Sequence, residues 1–314
     1  MKLRDAIHHY VAWRRASGVK FRNGESMLNR FLKSVGEGIS CDDVTPAQVR
    51  SFLLGNGRHT RTRSLKYSAL NGLYRYAMSR GYASSSPLPD NEPKTPAPMP
   101  PYVYSREEVR RLFDAIPSSR QRAHKLDGHT FRTFLLLLYG AGLRGSEARS
   151  LTMEDVDLST AVLTVRNSKF YKTRLVPAGP HLAAGLREYK AQRIGRSLPE
   201  GQDSTFLANK DGTPLTEAAT RQAFEDLLVV AGIHSTDARF QSPCLHSLRH
   251  SFAVHRLTDW YRQGADVQEL LPWLSTYLGH SKLASTQVYL SMTPELLQEA
   301  SLRLERYLGG ANSE

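Results

Sequence analysis

The chain has 314 residues, of which 40% are hydrophobic, and a formal net charge of +12. This length and composition suit two folded domains, and the positive charge favours an anionic polymer as partner. The sequence contains no long apolar run, no signal peptide and no metal-spaced cysteines, which argues against a membrane protein, a disulfide framework and a zinc site, so we expect a cytoplasmic protein.

The first third of the chain predicts a small helical domain. Apolar residues at helical spacing predict one helix before Gly18 and a second up to about residue 34. Thr45 and Pro46 form the cap and the first position of a third helix. Residues 1–100 contain 16 lysines and arginines against 7 acidic residues, so we expect this part of the chain to hold the anionic partner electrostatically.

A basic stretch at residues 58–66 precedes the next apolar helical pattern. Its positive residues alternate with small hydroxyl side chains, and hydrogen-bond donors at a helix start suit a DNA backbone. The alternative is a solvated basic face without a ligand. On the first interpretation the DNA-binding residues here are Arg58, Arg61, Arg63 and Lys66.

Serine and then proline dominate the sequence after residue 83. Such a segment is extended and cannot join a helical core. We therefore divide the chain into a helical domain at residues 1–86, a proline-rich linker at residues 87–104 and a second domain at residues 105–314.

The second domain is predicted to be mainly helical with a small antiparallel sheet. Ser105 is expected to cap its first helix. An apolar helix at residues 131–139 is broken by glycines, which deliver Arg144 just before a new helix that Ser146 can help to cap. The period of the apolar residues then changes to two, which predicts strands at residues 161–165 and 175–177.

The loop between those strands is more basic than a turn requires. Lys169, Lys172 and Arg174 lie in or beside this hairpin tip, and Lys172 and Arg174 are further candidates for DNA binding.

The last quarter of the chain places four chemically active residues in order. His246 and Arg249 are three residues apart, so on a helix their side chains project from one face and can bind one anionic group. Gly279 permits a sharp helix exit before His280, and Tyr289 follows nine residues later. Taken singly, each feature is more often an exposed helix face or a packing residue, and it is their combination with Arg144 that indicates a phosphate site with a nucleophile.

This ordered set resembles the tyrosine recombinase (phage integrase) family, whose pattern is Arg, Lys, His-x-x-Arg, His or Trp, and Tyr. The resemblance implies an amino-terminal helical core-binding domain that clamps DNA and an α+β catalytic domain. It also implies the catalytic set Arg144, Lys169, His246, Arg249, His280 and Tyr289, with Lys172 competing for the place of Lys169.

The implied activity is site-specific recombination or integration of double-stranded DNA, through a covalent 3′-phosphotyrosine at Tyr289 and a Holliday junction. In this scheme the arginines and His280 bind the phosphate, Lys169 protonates the leaving 5′ oxygen and His246 accepts or relays the tyrosine proton. No cofactor or metal is expected. The implied assembly is a homotetramer on two DNA sites, alone or with related recombinases.

Several alternatives stay open from the sequence. A type IB topoisomerase uses similar chemistry but rejoins the same strand, and an accessory protein of this family would bind DNA without cutting it. The extra residues 272–277 before the Gly-His pair favour a transposon-associated member serving a mobile element. A final amphipathic helix after residue 293 packs either on its own domain or on a neighbouring protomer.

Overall fold

The computed structural model of the chain describes residues 1–19, 21–55, 61–90, 99–119, 125–166, 173–196, 198–235, 237, 240–291, 296–302 and 305. The chain forms two compact units, Met1–Pro98 and Met99–Glu314. In the part of the chain that is described, no helix is both long and apolar enough to cross a membrane.

The first unit is helical, as predicted. Thr45 and Gln48 form a reciprocal cap at the start of its third helix: the Thr45 hydroxyl accepts from the Gln48 backbone N–H at 3.3 Å, and the Gln48 side chain accepts from the Thr45 N–H at 2.9 Å. Leu28, Phe31 and Tyr74 are among the residues of its buried core. The helices are α1 (Leu3–Ala16), α2 (Arg22–Val35), α3 (Pro46–Leu54) and α4 (Arg61–Ser79).

The second unit is mainly helical with one small sheet, which confirms the predicted fold class. Ser105 caps its first helix by accepting from the Glu108 backbone N–H at 3.1 Å, as expected. A 3₁₀ turn at Val288–Ser291 follows the last named helix, and residues 296–302 are again helical. The helices are α5 (Arg106–Ser119), α6 (Gly128–Gly140), α7 (Gly145–Arg149), α8 (Pro180–Ile194), α9 (Glu217–Val230), α10 (Leu245–Arg262), α11 (Val267–Leu278) and α12 (Ala284–Gln287).

The sheet has three antiparallel strands in chain order, β1 (Val156–Asp157), β2 (Val162–Val165) and β3 (Arg174–Pro177). Val165 lies opposite Arg174 in the register, so β2 and β3 form the base of the predicted hairpin. Side chains alternate between the two faces of a strand, which puts Arg174 on the same side as the buried Val176 and leaves Leu175 65% exposed on the other.

Two helices bring the distant motifs together. The apolar helix α6 packs against α10, whose buried side includes Leu248, Arg249 and Phe252. Helix α11 continues through Pro272 to Leu278 without interruption, so the extra residues before the Gly-His pair lengthen this helix. The turn after α6 and the carboxyl end of α11 both lie beside Arg249, in the second turn of α10.

Candidate active site

Glu147 is the buried centre of an ionic cluster at the start of α7. Its carboxylate accepts from the Arg144 backbone N–H at 2.9 Å and from Arg144 Nη1 at 2.6 Å. The expectation that Ser146 caps this helix was wrong, because Glu147 at the third helical position reaches back to the exposed N–H of Arg144 instead. The cap therefore also fixes the arginine that precedes the helix.

Arg174 approaches the same carboxylate from the sheet. Its Nη1 and Nη2 donate to the two Glu147 oxygens at 3.0 and 2.8 Å, and its Nε donates to the Tyr277 carbonyl at 2.9 Å. Burial alone would raise the pKa of Glu147, but the hydrogen bonds from Arg174 and from the Arg144 backbone, with the charges of both guanidiniums, lower this pKa to about 2. Glu147 is therefore ionised at neutral pH.

Arg249 is almost fully enclosed, with 1% of its surface exposed. Its Nη1 donates to the Gly142 carbonyl at 2.5 Å and its Nη2 to the Leu278 carbonyl at 2.6 Å, while Nη1 lies 3.9 Å from a Glu147 oxygen. Burial and the nearby charge of Arg144 lower the pKa of Arg249 to about 10, which leaves it protonated at neutral pH. The guanidinium thus joins α10 to the turn after α6 and to the last residue of α11.

The turn after α11 accepts the third hydrogen bond of Arg144, in addition to the two that Glu147 accepts. Gly279 has a φ of 68°, the left-handed conformation that ends helices and favours glycine, as the sequence predicted. Its carbonyl accepts from Arg144 Nη2 at 3.0 Å. The next residue, His280, hydrogen-bonds through Nδ1 to the Thr286 hydroxyl at 2.8 Å, which fixes the orientation of its ring.

Tyr289 lies inside this group, and only 2% of its surface is exposed. Its hydroxyl is 3.1 Å from Nδ1 of His250, and its ring stacks on that of His280 at a centroid distance of 6.0 Å. Burial raises the pKa of Tyr289, although the charges of Arg249 and Arg144 oppose the shift. The hydroxyl is consequently protonated at rest.

His250 is the site residue to which sequence reasoning gave no role. His246 was the expected partner of the tyrosine proton, yet the structure places His250 at the hydroxyl and His246 one turn away, with its ring 4.6 Å from that of His250. The sequence does contain a sign of this role. His246 and His250 are four residues apart, so on a helix they share one face and either can reach the same group.

Three histidines of the site are neutral at physiological pH. Burial, with the charges of Arg249 and Arg144, lowers the pKa of the half-buried His280 to about 4. Desolvation and the same two charges also lower the pKa of His246, which keeps more contact with water. Burial and the neighbouring His246 lower the pKa of His250 to about 3. A neutral imidazole has one donor and one acceptor nitrogen, so His250 can accept a hydrogen bond from Tyr289.

The expected DNA-binding residues differ in their surroundings. Lys66 donates to the Phe52 carbonyl at 2.6 Å and lies over the Phe52 ring, while Arg63 is half-buried in α4. Arg174 is only 9% exposed and contacts the interior cluster, which does not favour the expected DNA contact. The other predicted site residues lie outside the described part of the chain; they are Arg58, Lys169, Lys172 and the side chain of Arg61.

The arrangement combines anion-binding groups with a potential nucleophile. Arg144 is partly exposed. The Tyr289 ring stacks on His280, and its hydroxyl is close enough to Arg249 and Arg144 for both charges to act on it. Such a site can neutralise a phosphate and present a phenol to it. Among the residues that the structure describes, no group of three or more histidine, cysteine or acidic side chains could hold a metal ion.

Comparisons with known proteins agree with this chemistry. The model of the phage integrase family matches residues 103–295. A putative integrase/recombinase, y4rB of Sinorhizobium fredii, is 34% identical over 312 residues, covering 96% of this chain and 97% of its own. The tyrosine recombinase XerC of Oceanobacillus iheyensis is 31% identical, covering 93% and 91%. A lambda integrase tetramer bound to a Holliday junction shares the fold, with a TM-score of 0.68, 17% identity, and coverage of 92% of this chain and 77% of that chain.

Proposed function

The chain belongs to the phage integrase family, and we propose that it is a tyrosine-type site-specific recombinase that cuts and rejoins double-stranded DNA. The observation that carries this proposal is the position of Tyr289: its hydroxyl lies beside His250, and the charges of Arg249 and Arg144 act on it. A merely structural tyrosine would not require two partly or fully buried arginines and three neutral histidines around it.

The reaction exchanges one ester for another. The Tyr289 oxygen forms a bond to phosphorus, the bond from phosphorus to the 5′ oxygen breaks, and the product is a 3′-phosphotyrosine with a free 5′ hydroxyl. A 5′ hydroxyl from a second duplex then attacks the phosphotyrosine and releases Tyr289. Because each step conserves a phosphodiester bond, strand exchange needs no external energy source.

Arg144, Arg249 and His280 are assigned to the phosphate. A guanidinium group can donate to both non-bridging oxygens of a phosphate. Donors that are already in position stabilise the negative charge that develops in the transition state. Glu147 holds Arg144 by its side chain and its backbone, so the arginine is in place before DNA binds. Tyr289 must leave His250 to reach a bound phosphate, because it is enclosed in the DNA-free protein.

Two proton transfers complete the scheme. The tyrosine proton passes to a base, for which neutral His250 and neighbouring His246 are the nearest candidates. Lys169 is assigned to protonate the leaving 5′ oxygen, a role worth roughly a hundredfold to ten-thousandfold in rate. This assignment rests on the hairpin position of Lys169 in the family pattern.

Double-stranded DNA carrying a specific site is the proposed substrate, and a homotetramer on two sites is the proposed assembly. Support comes from the net charge of +12 and from the fold shared with a tetrameric integrase on a Holliday junction. An origin in a mobile element is proposed on the family resemblance, because the longer α11 before the Gly-His pair is similar to that of transposon-associated members.

The test is covalent trapping on a suicide duplex that carries the native site and a nick beside the scissile phosphate. Wild type is expected to form a protein–DNA adduct that survives a denaturing gel, whereas Tyr289→Phe forms none. Tyr189→Phe is the matched control, because Tyr189 is a buried tyrosine whose hydroxyl is also hydrogen-bonded, away from the site.

Each outcome separates the alternatives. DNA binding without an adduct in wild type contradicts the proposal and favours an accessory protein. If Tyr289→Phe and Tyr189→Phe both fail to form an adduct, loss of a buried tyrosine hydroxyl impairs folding, and the result does not identify Tyr289 as the nucleophile. Relaxation of supercoiled plasmid without exchange between two sites would favour a topoisomerase.

A further inference from the structure

We infer that Arg174 is a positioning residue of the proposed reaction, which holds both acceptors that fix Arg144: the Glu147 carboxylate and the Gly279 turn. This inference rests on the proposed function. It gives a role to an arginine that the sequence pattern alone places among the DNA contacts.

The first observation in support is the set of hydrogen bonds that the Arg174 guanidinium donates. Two nitrogens bind the two oxygens of Glu147 and the third binds the carbonyl of Tyr277 near the end of α11. This fork restrains rotation of the carboxylate, since each oxygen is held by one guanidinium nitrogen. Arg144 uses the same two oxygens, one through its side chain and one through its backbone.

The second support is the close approach of Arg174 to Gly279. A Cβ atom added to Gly279 would lie 2.8 Å from Arg174 Nη1 and 3.0 Å from Cζ. Glycine is therefore required before His280 for two reasons, the left-handed backbone and the guanidinium packed against it. The carbonyl of this glycine is the second acceptor of Arg144.

The third support is the charge balance of the cluster. Arg144, Arg174 and Arg249 surround the single carboxylate of Glu147, so the cluster carries two net positive charges. A phosphodiester has one negative charge and gains a second at the transition state, which this excess matches. Lysine at position 174 would keep the charge but could not form the fork.

The experiment measures single-turnover cleavage of the nicked suicide duplex by Arg174→Gln and Arg174→Lys at saturating DNA. We expect at least a tenfold loss of rate in both variants, larger in Arg174→Gln, with DNA affinity within threefold of wild type. If lysine restores the wild-type rate, charge alone suffices and the positioning role is overturned.

Two altered substrates locate the defect. A methylphosphonate at the scissile position lacks the resting negative charge of the phosphodiester and gains only one charge at the transition state. Arg174→Gln should therefore come within about threefold of wild type on it if the residue acts through Arg144. A 5′-bridging phosphorothiolate has a leaving group that needs no proton. Rescue by the phosphorothiolate in place of the methylphosphonate would assign the defect to the general acid and overturn the inference.

Arg196→Gln is the matched control. Arg196 also pairs with a buried carboxylate, Asp127 at 2.8 Å, but it lies away from the site. We expect Arg196→Gln to be destabilised in urea, though less than Arg174→Gln because Arg196 is 34% exposed and makes one bond to the carboxylate, and to cleave at the wild-type rate. If wild type itself forms no adduct, the proposed function is refuted. If Arg196→Gln cleaves as slowly as Arg174→Gln, and the methylphosphonate does not change this, the inference alone is refuted.

Discussion

Replacing Glu147 with glutamine is expected to destabilise the second unit by about 3 kcal/mol at pH 7. The carboxylate is 6% exposed, and its pKa is lowered from the ordinary 4.5 to about 2. At about 1.4 kcal/mol for each pKa unit, this shift corresponds to about 3 kcal/mol. Loss of one partner from a buried ion pair costs roughly 3–5 kcal/mol, so two separate arguments agree.

The effect should depend on pH in a defined direction. The folded-state pKa of Glu147 is lower than its unfolded value, so its contribution is complete above about pH 4.5 and disappears as the pH falls towards 2. Glutamine resembles the protonated acid. The difference in unfolding free energy between wild type and Glu147→Gln should therefore fall to about half near pH 3.

Urea unfolding, followed by tryptophan fluorescence, measures this difference. Both proteins are made in a Trp13→Phe background, so that the remaining tryptophans, Trp260 and Trp273, report on the second unit. Glu107→Gln is the control, because Glu107 pairs with Arg110 on the surface, and it should change stability by less than about 0.5 kcal/mol. A difference below about 1 kcal/mol at pH 7, or one that is constant from pH 7 to pH 3, would refute the reasoning.

Two further predictions concern the surroundings of this cluster, and a third concerns Lys66 in the first unit. The three histidines near Tyr289 should remain neutral down to pH 5 in the DNA-free protein, and an NMR titration midpoint above pH 6 would contradict their lowered pKa values. Gly279→Ala should cost at least about 1 kcal/mol in urea unfolding, because the left-handed backbone and Arg174 both oppose a Cβ atom; unchanged stability is the contrary result. Lys66→Met should destabilise the first unit by about 1–2 kcal/mol, read from Trp13 fluorescence, by removing the bond to the Phe52 carbonyl. Unchanged stability, together with a shallower salt dependence of DNA binding in Lys66→Met, would instead support the prediction that Lys66 contacts DNA.

Local sequence signals predicted several features whose partners are close along the chain, although the cap of α7 was an exception. The cap at Thr45 and Gln48 and the helix exit at Gly279 follow from residues within one turn. The alternation of apolar residues was enough to predict a hairpin, and the apolar spacing predicted the helices. The order of Arg144, His246, Arg249, His280 and Tyr289 indicated the family without any contact being known.

The sequence by itself determined the helices, the hairpin, the helix ends at Thr45 and Gly279 and the reactive residues of the family pattern, because these depend on local backbone preference and on residue type. The tertiary structure alone decided which of them meet. Arg174 faces Glu147 because the sheet register puts it on the side of Val176. His250, in place of His246, reaches Tyr289 because the 3₁₀ turn Val288–Ser291 packs against α10. Such choices depend on contacts between residues that are far apart in the chain, and a one-residue change of register or a rotation of one helix would reverse them.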